Sequence, residues 1–238
     1  MTGATPHSGR REHGSAPSEA VEDYSKAIFM LQRHGRSVSN TALAERLGVT
    51  PASASAMVKR LAEMGLAEHE PYRGVSLTPA GEAVALEILR HHRLLETYLA
   101  EALGMPWDRV HDEAEVLEHY LSEELEELIA GKLGDPARDP HGDPIPDRNL
   151  VLPADDTCPL ADLEPGDRAV FTRVSDSEPE MLRYLDERDI RPGVELRVED
   201  KQPFGGPLFV RIGGRVHPLG GSLVRSMRVR VASRSVPS

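Results

Sequence analysis

The sequence contains no apolar run near membrane-spanning length, and no stretch after Met1 couples a charged start to an apolar core. The chain is therefore expected to be soluble and cytoplasmic, without a membrane partner. It has one cysteine, Cys158, which excludes an internal disulfide; its place after Thr157 in a Pro-flanked stretch reads as ordinary connecting chain. Basic residues are scarce, 28 Lys and Arg against 39 Asp and Glu, giving a formal charge of −11. That balance counts against a protein that simply coats nucleic acid, but not against one whose basic face is local. The scarcity is greatest from Glu96 to Glu127, where Arg109 is the only Lys or Arg. What fills that region is carboxylate interleaved with histidine, the pattern of a solvated helix face or of a segment that takes up cations.

Within it, His111-Asp-Glu-Ala-Glu115-Val-Leu-Glu118-His119 is the most informative stretch. At about 3.6 residues per turn, positions 111, 115, 118 and 119 share about one third of a helix circumference. An apolar stripe of Ala114, Leu117, Leu121, Leu125 and Leu128 lies roughly 100° round, so the polar stripe borders a buried face. That placement suits metal ligands. A helix so apolar on one side, with few other core candidates nearby, is also a natural surface for a symmetric dimer. Upstream, His92 and Glu96 are four residues apart and share a face, which by spacing alone describes a surface ion pair.

At 238 residues the chain has room for two or more small domains. Residues 1–17, rich in Gly, Ser, Pro and basic residues, are expected to be a disordered tail. A winged helix-turn-helix is expected over 18–78. Its first helix runs from an N-cap at Ser18 to about His34, stopped by Gly35, with Asp23 off the apolar stripe as a dipole-favoured acid. A short helix Ser39–Leu47, a turn, and a helix Pro51–Met64 follow, Thr50 capping the last; Ala42, Leu43 and Leu47 pack on Val58 and Leu61. Thr50, Ala52, Ser53, Ser55 and Ala56 are small enough to approach base edges, and Lys59 and Arg60 lie within reach of phosphate. Leu66–His69 and Gly74–Leu77 form the two strands of a wing whose turn carries Arg73. A helical domain is expected over 79–135, with one helix from Thr78 past Leu99 and another from about Asp108. Residues 136–162, with repeated Asp-Pro steps, read as an extended linker on which His141 is exposed and idle. Strands expected at Arg168–Val174, Glu195–Val198, Leu208–Ile212, Val216–Leu219 and Leu223–Val231, with a helix Pro179–Asp189, make 163–233 a small SH3-like β-barrel. Glu178 and Glu180 open that helix as ordinary dipole-favoured acids. The fold class is thus mainly α with a small β domain.

Taken together, Asp23-Tyr24, Leu43-Ala-Glu-Arg-Leu-Gly48, His92-Arg-Leu-Leu-Glu96, the His111–His119 stretch, Asp139-Pro-His-Gly-Asp-Pro-Ile-Pro146 and the C-terminal β pattern resemble the DtxR/MntR family of metal-dependent transcriptional repressors. The resemblance covers nearly all of the chain from about Val21 and is nearest to three-domain actinobacterial manganese regulators, with a FeoA-type third domain. It implies a primary metal site of Asp23, Glu115, Glu118 and His119. It implies an ancillary site of His92, Glu96 and His111, completed by Glu178, with Glu180 as the substitute because Met181 offers no hard donor. Lys26, where some manganese regulators have an acid, argues against the paired site of the shortest two-domain members. Iron-responsive relatives place sulfur at the positions of Glu115 and Asp23. Carboxylates there suit Mn²⁺, with Fe²⁺, Co²⁺, Zn²⁺ or Cd²⁺ as alternatives.

The implied function is a manganese-dependent repressor that binds a palindromic double-stranded operator as a homodimer, one or two dimers per operator, controlling metal homeostasis genes, with no small organic substrate. Three other readings remain open at this point: an iron-dependent repressor of the same family, a metal-dependent hydrolase, and a metal-insensitive regulator that uses its β domain for protein contacts. Against the hydrolase, the sequence offers no general base distinct from the ligands and no loop suited to a substrate pocket.

Overall fold

The computed structural model describes residues 17–33, 38–70 and 74–234, which divide into two units at Ala85/Leu86. Apart from Pro17, the expected tail lies outside the described residues, as do Gly35 and the wing turn with Arg73.

In the first unit, α1 (Glu19–Arg33) precedes the helix pair α2 (Asn40–Leu47) and α3 (Pro51–Glu63). Local chemistry sets their ends. The Ser39 and Thr50 side chains accept from the backbone N–H of Ala42 and Ser53, Pro51 takes the first turn of α3, and Gly48 closes α2 in the left-handed conformation. Val21, Tyr24, Ile28, Leu43, Val58 and Leu61 form the core, with Ala42 and Leu47 packed against it, as the spacing predicts. The antiparallel wing, β1 (Ala67–Glu70) and β2 (Gly74–Leu77), adds Ala67, Val75 and Leu77 to that core. α4 (Pro79–Glu101) starts in this unit, where Gly81 is required: a Cβ would stand 1.9 Å from the Leu66 carbonyl oxygen.

The second unit contains the rest of α4, then α5 (Val110–Leu117), a 3-10 turn Glu118–Tyr120, and α6 (Glu123–Lys132). The single helix expected from Asp108 is therefore broken. Leu121 is extended, and Ser122 begins a new helix by accepting from the Leu125 N–H. Leu94, Leu95, Ala114, Ile129, Ala130 and Ile145 make a small core, but Val116, Leu117, Tyr120, Leu125 and Leu128 stay exposed.

A second correction concerns the expected linker. Residues 137–145 form a closed loop in which Ile145 donates to the Ala137 carbonyl and Asp139, His141 and Ile145 are buried. The expected Cys158 linker residue begins β3 (Cys158–Pro159). β4 (Arg168–Val174), α7 (Pro179–Asp186), β5 (Glu195–Lys201), β6 (Leu208–Ile212), β7 (Arg215–Leu219), α8 (Gly221–Ser226) and β8 (Met227–Ser233) follow. What reads as one strand from Leu223 is thus a helical turn and then a strand: Leu223 and Val224 are neighbours and both buried, whereas successive side chains of a strand point to opposite faces. The antiparallel sheet runs β3-β8-β4-β5-β6-β7, and its inner face packs Phe171, Leu196, Val198, Val210 and Val229 with Trp107 and α7's Leu182 and Leu185.

Candidate metal centre and nucleic-acid interface

In the first unit the exposed face of α3 carries Ala52, Ser53, Ser55, Ala56, Lys59 and Arg60, with Thr50 exposed at its N-cap. Thr50 Oγ1 is occupied in capping and lies 2.9 Å from Ser53 Oγ, so these two hydroxyls hold the helix start together. Lys59 is 3.8 Å from Glu63 and highly exposed, free to re-aim at a phosphate. Asp23 is half-buried on α1.

In the second unit, buried imidazoles and carboxylates converge from four segments. His92 and Glu96, one turn apart on α4, are 3.1 Å apart; His111 Nδ1 from α5 lies 3.2 Å from His92 Nε2 and 3.4 Å from Glu96 Oε1. Asp176, after β4, brings Oδ2 to 3.0 Å from His111 Nδ1. On its other side His92 Nδ1 meets the fully buried Glu118 at 2.5 Å and Glu115 at 3.9 Å. His119 Nε2 stands 3.8 Å from Glu118. From the loop, His141 Nδ1 faces Glu96 at 3.8 Å, with Asp139 beside it. Within this unit, three groups therefore have donor atoms within 4.8 Å of one another: His92, Glu96, His111 and Asp176; His92, Glu115 and Glu118; and Glu96, Asp139 and His141.

Of the third-domain acids, Asp176 and not the expected Glu178 or Glu180 stands beside His111. Glu178 is exposed ahead of α7 and Glu180 is exposed in its first turn, because the chain bends at Asp176 and Ser177 and turns only Asp176 toward His111. The reading of His141 as idle is overturned as well: it is 1% exposed. Asp139 builds its loop by accepting from the N–H groups of His141 and Asp143, a turn chemistry that Asp-Pro-His-Gly-Asp carries in its residues. Gly142 (φ +90°) lets the loop press on β4, since a Cβ would come within 2.0 Å of the Thr172 carbonyl oxygen. Val174 then donates to the His141 carbonyl at 3.0 Å.

The electrostatics match a cluster that exchanges protons for a cation. Burial would raise the Glu96 carboxyl, but the charge of His92 and the nearness of His111 and His141 hold it well below the usual carboxylate range. Hydrogen bonds to Asp176 and Glu96 push His111 up to about 10 despite its burial. His141, which burial alone would lower, is pushed up to about 9 by Glu96 and Asp139. Burial and the neighbouring charges of Glu96 and Asp143 raise Asp139 well above its ordinary value. The donors fit a divalent ion. His141 Nε2 donates to the Trp107 carbonyl oxygen at 2.7 Å, while the buried Nδ1 has no hydrogen-bond partner and points at Glu96. The lone pair that a proton takes in the metal-free chain is the one a cation would take. Behind Glu118, His91 donates to its backbone carbonyl at 3.2 Å and to Glu126 at 3.0 Å, with Arg90 also on Glu126.

A winged helix-turn-helix and a polar cluster of metal-ligand chemistry define a DNA-binding regulator that responds to a divalent cation. Residues 18–75 match the iron-dependent repressor N-terminal DNA-binding domain, 78–147 the iron-dependent repressor metal-binding and dimerisation domain, and 158–231 the FeoA domain. The chain belongs to this DtxR family and is a metal-dependent transcriptional repressor, not an enzyme. The diphtheria toxin repressor of Corynebacterium efficiens is 30% identical over 221 residues, 89% of this chain and 95% of that protein. The iron-dependent repressor IdeR of Mycobacterium tuberculosis is 35% identical over 128 residues, 54% of this chain and 56% of its own length. Among solved structures, a manganese-dependent transcriptional repressor in complex with manganese aligns with TM-score 0.84 at 41% identity, covering 89% of this chain and 99% of that one. ScaR with bound Cd²⁺ aligns with TM-score 0.75 at 27% identity, covering 90% and 99%. Among the described residues no helix is long and apolar enough to cross a membrane.

Proposed function

We propose that this repressor is responsive to manganese and binds a palindromic operator as a homodimer. One observation carries the choice of metal: the groups draw on carboxylates and imidazoles, with no cysteine thiolate among them. Such a set suits Mn²⁺ on ligand grounds, whereas a thiolate or thioether would favour later metals. The likeness to a manganese-dependent repressor at 41% identity supports the same reading, and the iron-dependent relatives keep Fe²⁺ as the competitor to test.

His92, Glu96, His111 and Asp176 form one ligand set, with Asp139 and His141 sharing Glu96 on its inner side. The other set is Glu115, Glu118 and His119 with Asp23, the last assigned on the family resemblance. A bound divalent ion would supply positive charge to these carboxylates. The chain's own residues do the remainder: Glu118 is held by His92 and by the His91 contact to its carbonyl, and His111, protonated without a metal, would have to give up that proton to hold the ion. Because the family places DNA recognition on the first unit, the coupling must lie in differential affinity for a DNA-competent state. The exposed stripe of Val116, Leu117, Tyr120, Leu125 and Leu128 is the proposed homodimer surface.

The test is duplex binding, on operators selected from a random-sequence pool, by wild type, Asp23→Ala and Glu118→Ala across Mn²⁺ and Fe²⁺ titrations. Binding that follows Mn²⁺ in wild type and loses that dependence in both variants is expected. Metal-dependent binding retained in both would overturn the ligand assignment, and activation by Fe²⁺ at lower free concentration than Mn²⁺ would overturn the metal.

A further inference from the structure

On the outer face of the FeoA-type sheet, register sets three arginines side by side. Arg168 of β4 pairs with Arg197 of β5, and Arg197 pairs with Arg211 of β6. All three are exposed, while Ala169, Leu196 and Ile212, next to them in sequence, face the core. Like charges directly opposite one another on a sheet destabilise it, so three in one row need a compensating anion. Among the described residues one carboxylate makes an ion pair with the row: Glu199 meets Arg211 Nε at 2.7 Å, and its charge also reaches Arg197. Among the described residues neither Arg168 nor Arg197 has a carboxylate at ion-pair distance. The remaining acid beside the row, Glu195, lies two positions from Arg197 along β5, opposite Val170. Arg230, also exposed and paired to Val170 across β8, is held by Asp156 at 3.1 Å. In a chain of net charge −11, a row of three cations sharing one ion-paired carboxylate stands out.

We propose that the Arg168–Arg197–Arg211 row is a polyanion-binding surface whose occupant is the phosphate backbone of duplex DNA, so that the third domain adds sequence-independent contacts to those of the helix-turn-helix. The inference rests on the DNA-binding reading above. Charge complementarity favours DNA over a second copy: strands spaced about 4.8 Å apart present the guanidinium groups as a short line, and each planar fork can grip phosphate oxygens bidentately. Such contacts position the protein without reading bases.

The experiment uses the full chain loaded with Mn²⁺ and a fluorescein-labelled duplex of arbitrary sequence, with salt varied between about 50 and 200 mM. For wild type, the logarithm of the affinity should fall linearly with the logarithm of salt. In Arg168→Ala/Arg197→Ala the slope should flatten by about 1.8, at about 0.9 per lost phosphate contact, and Arg168→Lys/Arg197→Lys should restore most of it. An unchanged slope in the alanine variant overturns the proposal. So does a variant whose only change is a shift in self-association by sedimentation, which would assign the row to a second copy. If wild type with Mn²⁺ binds no duplex at any salt, the DNA-binding reading itself has failed, which is a separate outcome from an unchanged slope.

Discussion

His111 and Glu96 stabilise the metal-free cluster through opposite titrations. His111 is raised from 6.5 to about 10, so its contribution is full below about pH 6.5 and is lost as pH rises through about 10. Glu96 is depressed below its ordinary 4.5, so its contribution is present above that value and is lost as pH falls through the depressed one. Thermal denaturation of the metal-free protein should therefore show stability declining from pH 6.5 upward, and His111→Gln should flatten that decline; a wild-type curve flat to pH 9 would contradict it. The same residues separate Asp176 from Glu178. Asp176→Asn should weaken Mn²⁺ binding at the His111 set at least about tenfold by calorimetry, while Glu178→Gln should leave it unchanged. Equal losses in both would return the ligand role to Glu178.

At the scale of elements, the loop 137–145 is where the fold departs most from its appearance in sequence. Asp-Pro steps read as a linker because proline and aspartate favour turns wherever they occur. Only packing against α4 and β4 turns the segment inward, through Arg93 donating to the Pro144 carbonyl at 2.5 Å and Arg173 to Asp143 at 2.7 Å. Gly142 tests that contact. Gly142→Ala meets both a left-handed φ and the Thr172 carbonyl, whereas Gly104→Ala (φ +70°) meets only the backbone strain, about 1–3 kcal/mol. Urea denaturation should rank Gly142→Ala as clearly the more costly, with weakened metal binding as well. The break between α5 and α6 was also legible in principle, since Ser122 followed by Glu123, Glu124 and Glu126 is a helix-start signal. The unbroken heptad-like leucines masked it. Those leucines at 125 and 128 are 47% and 64% exposed, so Leu125→Glu/Leu128→Glu should shift sedimentation toward monomer; an unshifted profile would place the dimer surface elsewhere.

For the whole molecule, ligand binding to the folded state alone must appear as stability. Saturating Mn²⁺ should raise the unfolding free energy by about 2.7 kcal/mol at a free concentration about 100 times the dissociation constant, and chelator should reverse the gain. Differential scanning calorimetry checks this, and a transition unmoved by Mn²⁺ would mean that the clusters are ion-pair networks rather than metal sites. The fraction of the gain that survives Glu118→Ala reports what the His111 set contributes once His92 has lost its Glu118 contact.

Short-range chemistry in the sequence was sufficient for α1 to α3, for the wing and for most strands of the third domain, because caps, prolines and alternation act over a few residues. It also marked His92, Glu96, His111, Glu115 and Glu118 as residues on shared helix faces. Tertiary structure alone decided that Asp139, His141 and Asp176 join them, because these come from segments far apart in the chain whose approach depends on long-range packing around α4. The arginine row is of the same kind: each residue is an ordinary outward position on its own strand, and only strand register makes three like charges neighbours.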